Sequence, residues 1–151
     1  PADAGSVAAT HGMNADQVVS ALGPVPHPEG GFYRETWRHE APDGGRGAGT
    51  AIYFLLTRER GASWHRVDAA EIWHHYGGAP VALRLAGDGI GRREEILGCD
   101  LAAGERPQRI VPAGAWQSAR SLGEWSLVGC TVSPAFEFAR FELAPAGFEP
   151  S

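Results

Sequence analysis

From Phe32 onward the chain is cut into short alternating stretches by turns that carry glycine: Asp43-Gly44-Gly45, Gly77-Gly78, Gly87-Asp88-Gly89 and Pro112-Ala113-Gly114. Between them lie Phe32–Trp37, Thr50–Thr57, Ser63–Val67, Glu71–Tyr76, Val81–Leu85, Glu94–Leu97, Arg109–Val111, Trp116–Ala119, Ser126–Val132 and Phe136–Leu143, each reading as a β-strand. Short strands of this kind bury one face only when they close into a barrel or stack as a sandwich. Phe136 and Phe138 are out of phase with Phe141 and Leu143, which predicts a bulge in the last strand. One helix precedes the strands. Asn14 caps it, Gln17 sits at the capping-box position, and Ala15, Val18, Val19 and Leu22 form an apolar stripe ended by Gly23 and Pro24.

The 151 residues suffice for one domain with a true core, assigned to 14–151 behind a polar N-terminal tail at 1–13. Met13 stands where a native start would, so the preceding stretch reads as a tail or remnant. Thirteen basic against eighteen acidic side chains give a net charge of −5, and the arginines form no stripe. Nucleic acid and membrane are therefore not expected partners. No apolar run approaches a membrane span and no signal-peptide core is present, so a cytoplasmic location is expected by elimination. Cys99 and Cys130 form no CxxC pair, which excludes a zinc site built from thiolates.

Chemistry concentrates in Ser63 to Tyr76, SWHRVDAAEIWHHY, which holds three of the six histidines. Strand parity puts Glu71, Trp73 and His75 on one face and Ile72, His74 and Tyr76 on the other. The Asp68-Ala69-Ala70 loop can bring His65 beside Glu71. An imidazole and a carboxylate meeting inside a barrel bind a divalent metal or exchange protons with a substrate. Glutamate is almost never buried without a partner, so an inward Glu71 requires one. Upstream, PEGGFYRET pairs two glycines, which let the backbone approach something closely, with Tyr33 and Arg34, and reads as a pocket-mouth or dimer strand.

The spacing His65-x-Val67-x3-Glu71-x6-Gly78 resembles the first motif of the cupins, G-x5-H-x-H-x3-4-E-x6-G. Pro112-Ala113-Gly114-x2-Gln117 resembles their second, G-x5-P-x-G-x2-H-x3-N. Together with PHPEGGFYRETWR, TAIYFLLT, EIWHHYGG, VPAGAWQSA and LVGCTVSPAFEF, these stretches resemble the cupin-5 subfamily, a domain of unknown function. That resemblance implies an all-β fold, a cupin-type double-stranded β-helix (jelly-roll barrel) with one short N-terminal helix. It also implies a homodimer and a metal held by three histidines and a glutamate. Val67 and Gln117 stand at two of those histidine positions, and Ser121 replaces the second motif's asparagine. Only His65, Glu71 and Gln117 remain as metal ligands, so at most a weakly bound divalent cation is expected and no certain cofactor.

Three functions are compatible with these residues. The first is a barrel that binds a small organic molecule and isomerises, epimerises or eliminates it by acid/base chemistry. His65 and Glu71 would be catalytic, Tyr33 and Gln117 would orient the substrate, and Arg34, Trp73, His74 and His75 would contact it. The second is a binding or sensing module without turnover. The third is a weakly metal-dependent oxygenase or lyase. A nucleophilic serine triad, a Walker loop and a dinucleotide fingerprint are all missing.

Overall fold

The computed structural model describes residues 12–87 and 89–150. The expected tail at 1–13 therefore lies mostly outside the described residues. Helix α1, Ala15–Leu22, forms as its sequence dictates. Asn14 Oδ1 accepts from the Gln17 backbone N–H at 2.9 Å, and Gln17 Oε1 accepts from the Asn14 N–H at 2.8 Å, a reciprocal capping box. Gly23 closes the helix in the left-handed conformation, φ 65°. Met13, placed in the tail by sequence, belongs to the fold: it packs beside Val18 and Leu55, and its carbonyl accepts from Trp125 Nε1 at 2.9 Å.

The strands that follow are β1 (Val25–Pro26), β2 (Phe32–Arg38), β3 (Thr50–Thr57), β4 (Ala62–Val67), β5 (Ala70–Gly78), β6 (Val81–Gly87), β7 (Gly91–Leu97), β8 (Gln108–Val111), β9 (Trp116–Ser121), β10 (Trp125–Ser133) and β11 (Phe141–Leu143). They pair antiparallel in two sheets, ordered β1-β2-β3-β10-β5-β8 and β11-β4-β9-β6-β7. From β3 onward the chain crosses repeatedly from one sheet to the other. That crossing winds it into the double-stranded β-helix of a jelly roll. No described helix is long and apolar enough to cross a membrane.

Alternation explains the core. Phe54, Leu56, Trp73, Val111, Val128 and Cys130 point inward from the larger sheet to meet Ala62, Val81, Leu83, Leu85, Leu97 and Ala119 from the smaller one. On the outer face of the larger sheet, Leu55 and Trp125 receive Val18, Val19 and Leu22 of α1. The expected bulge in the last strand is instead a single 3-10 turn, Phe138–Arg140, inserted ahead of β11. The phase change between Phe138 and Phe141 is real, but a turn produces it.

Candidate functional site

Strands β4 and β5 deliver His65 and Glu71 into one end of the barrel, as parity requires. His65 is 2% exposed and Glu71 7%. Between them and an aromatic cap lies a cavity of about 30 Å3, lined also by His27, Glu29, Tyr33, Glu35, Thr50, Ile52, Val67, Cys130, Val132, Phe136 and Phe138. That is room for about two waters or the head group of a small molecule. A larger groove of about 490 Å3 lies outside the smaller sheet against Trp64, Arg84 and Phe148, but it holds no buried carboxylate or imidazole.

The partner of His65 is Glu29. Its Oε2 lies 2.8 Å from His65 Nε2, while His65 Nδ1 lies 2.7 Å from the Ser63 carbonyl. Both ring nitrogens therefore face acceptors, the arrangement an imidazolium satisfies. Burial alone would pull the His65 titration down. The Glu29 charge and hydrogen bond, the Glu71 charge and the Ser63 carbonyl outweigh it and leave His65 at about 8.

Glu71 is pushed up, chiefly by burial and further by the Glu29 charge, against the pull of His65 and of hydrogen bonds from Gln117 and Cys130. Burial, then the Glu71 charge, likewise raises the Cys130 thiol well above its ordinary value, so that sulfur is no nucleophile. His27 behaves oppositely to His65. Burial lowers it, and its Nδ1 accepts the Glu29 backbone N–H at 3.1 Å, as a neutral ring does.

Glu29 reaches this position because two glycines let its loop fold against β4. Gly30 (φ 113°) and Gly31 (φ 69°) hold conformations that side chains resist. A Cβ at Gly30 would strike the Gly61 carbonyl, and one at Gly31 would lie 2.6 Å from the Phe54 ring. The Ser63 N–H donates to the Glu29 carbonyl at 2.8 Å and pins the loop to the edge of β4. Neither Glu29 nor His27 was singled out from sequence. The glycine pair was the available signal, and it marked a close approach without naming the side chain that the approach delivers.

The other expected site residues divide. Tyr33 lines the cavity, its ring 4.7 Å from that of His27. Trp73 and Gln117 are fully buried behind Glu71 rather than on the cavity wall: Trp73 Nε1 donates to Gln117 Oε1 at 2.8 Å, and Gln117 Nε2 donates to Glu71 Oε1 at 2.8 Å. Arg34, His74 and His75 lie away from the cavity. Arg34 Nη1 donates to the Leu22 carbonyl at the end of α1, at 2.8 Å. His74 keeps to the outer face, its Nε2 3.1 Å from Thr131 Oγ1. His75 shares parity with Glu71 and Trp73, yet its ring sits between the Ala79 carbonyl (3.1 Å) and Cys99 Sγ (3.5 Å), beyond the cavity wall.

The cap over the cavity comes from the segment between β10 and β11. Phe136 and Phe138 meet edge to face at 4.9 Å, and Phe138 is 50% exposed. Paired charges tie this segment down. Arg46 contacts Asp68 at 2.7 Å and Glu137 at 3.3 Å, and Arg140 contacts the same two carboxylates at 3.3 and 3.6 Å.

A cupin metal does not fit this set of donors. Val67 offers no ligand, Gln117 spends its oxygen on Trp73, and His65 Nε2 faces Glu29. Among the described residues, no three of His, Cys, Asp or Glu converge as metal ligands.

The chain is similar to proteins of known structure. A protein from Shewanella oneidensis is 40% identical, with a TM-score of 0.83 over 87% of this chain and 85% of that one. A hypothetical protein from Leishmania major is 32% identical, with a TM-score of 0.80 over 87% and 88%. Oxalate decarboxylase from Bacillus subtilis shares the fold at 16% identity, with a TM-score of 0.61, this chain spanning 78% of itself and 29% of that longer enzyme. None of the curated proteins compared matches the chain. The family described as the cupin superfamily (DUF985) matches residues 16–144, and with the jelly-roll barrel around His65 and Glu71 it follows that the chain belongs to that family, Cupin_5.

Proposed function

We propose that the barrel cavity binds a small organic molecule and exchanges a proton with it, as an isomerase, epimerase or lyase that uses no strong metal site. The observation that carries this reading is the Glu29–His65 ion pair, 2.8 Å apart and over nine-tenths buried, opening on a cavity shared with a second buried carboxylate. A buried pair of this kind costs desolvation on both partners, and catalytic or binding sites are where such costs are retained. In this reading the roles differ from those expected of the sequence. His65 has both ring nitrogens engaged, so it acts through Glu29 as a positioning residue. Glu29 and Glu71 are the groups free to meet a ligand. Glu29 removes a proton from the bound molecule, and Glu71, whose carboxyl burial favours in the protonated form, supplies one to the other end.

The test is deuterium incorporation into whatever small molecule copurifies, identified by native mass spectrometry. The protein should catalyse exchange in D2O, and Glu29→Gln should slow it by about 100-fold or more while still binding. Binding without any exchange would leave the second reading, a sensing module; the small resting volume and the fully satisfied His65 favour it. A barrel that retains nothing and binds nothing would remove both.

Metal enters the proposal as an expectation of weakness. After chelation and dialysis, elemental analysis is expected to find transition metal well below one per subunit. One tightly held ion per subunit, ligated by His65 and Glu71, would overturn it.

A further inference from the structure

We infer that the molecule this cavity takes carries a small protonated amine, an organic ammonium head group bearing N–H donors. The inference rests on the reading of the cavity as a ligand site and adds the chemical class. Three carboxylates, Glu29, Glu35 and Glu71, line the cavity, with no arginine or lysine among the lining residues. Arg38 engages Glu35 through two bonds of 2.8 and 2.9 Å and His65 pairs with Glu29, while Glu71 Oε1 accepts from the neutral Gln117 amide. An anionic ligand would meet carboxylates and find no guanidinium or ammonium to pair with.

The same cavity is lined by the aromatic rings of Tyr33, Phe136 and Phe138, with the His27 ring among them. The negative faces of such rings attract cations. The neutral form of His27 adds no opposing charge. Glu29 Oε1 has His27 Nδ1 for a neighbour at 3.9 Å, but that nitrogen accepts the Glu29 backbone N–H and has no proton to give. An ammonium N–H can donate to that oxygen, whereas a quaternary ammonium cannot. The volume of about 30 Å3 admits such a head group, and half-exposed Phe138 marks where the rest of the molecule would leave.

The experiment is an NMR titration of the full chain with ethylammonium, ethanol, acetate and potassium ion at constant ionic strength. The Trp73 indole N–H, which reports on Glu71 through Gln117, and the His65 ring are the signals followed. Ethylammonium is expected to shift both, with an affinity about tenfold above that of ethanol. Phe138→Leu, a change at an exposed ring, should weaken ethylammonium several-fold and leave ethanol unchanged. Glu29→Gln should abolish the preference for the cation, provided the variant keeps a folded spectrum. Equal or stronger shifts from ethanol, acetate or potassium would overturn the ammonium class and leave the ligand site standing. No shift from any probe would overturn both.

Discussion

Replacing His65 with alanine is expected to destabilise the protein by about 3–5 kcal/mol near pH 6, the usual cost of removing one partner from a buried ion pair. Glu29, 6% exposed, and Glu71, 7% exposed, would share the end of the barrel with no cation between them. The penalty should depend on pH in a definite direction. His65 titrates at about 8 when folded, above its ordinary 6.5, so its contribution is complete below pH 6.5 and is lost as pH rises through 8. The difference between those values amounts to roughly 2 kcal/mol. Glu71, also raised, favours the folded state on the acid side in the same way. Urea denaturation at pH 6 and pH 9 checks this. The parent should lose stability between the two, and the variant should be closer to it at pH 9. A parent that gains stability across that interval would contradict the Glu29–His65 assignment.

Gly30→Ala should be comparably damaging, by about 3 kcal/mol or more, although it adds a single methyl group. The left-handed conformation at φ 113° contributes roughly 1–3 kcal/mol, and overlap with the Gly61 carbonyl contributes more. Gly114 is the control. It also has a positive φ, 81°, but open space where its Cβ would be, so Gly114→Ala should show the conformational penalty alone, roughly 1–2 kcal/mol. The Gly30 variant should also draw Glu29 away from His65 and lower the histidine titration from about 8. Equal losses at the two glycines would show that close approach to β4 is not what Gly30 provides.

The barrel was legible because alternation and glycine turns act locally, and each strand from Thr50 to Val132 carries its own pattern. Two-residue β1 has too little sequence to carry one. His65, Glu71, Trp73 and Gln117 were placed inward by parity, and inward they are. Parity failed at His75. A bulge opposite Leu127 and Val128 interrupts the ladder just beyond it, and its ring is held by the Ala79 carbonyl and Cys99. Glu29 was hidden for a different reason. It lies in a loop, where no periodicity says which way a side chain points, and its partner is 36 positions away, a separation set by how the loop folds onto β4. The aromatic cap was read as strand because Phe136 and Phe138 alternate as strand residues do. Contacts made in three dimensions hold that segment as a turn: Arg46 and Arg140 on Glu137, Arg38 on the Phe136 carbonyl and Thr50 Oγ1 on the Phe136 N–H.

The Trp73–Gln117–Glu71 chain has a stereochemical consequence. An indole can donate and never accept, so the Gln117 amide is locked in one orientation and cannot flip. Its nitrogen must then face Glu71 Oε1, which is held as an acceptor. A proton arriving at Glu71 is confined to the other oxygen. A histidine at position 117 could swap tautomers and let the proton sit on either side. The glutamine thus makes the two oxygens of Glu71 unequal, and the inequality is set from the core by a tryptophan that stands behind the cavity wall.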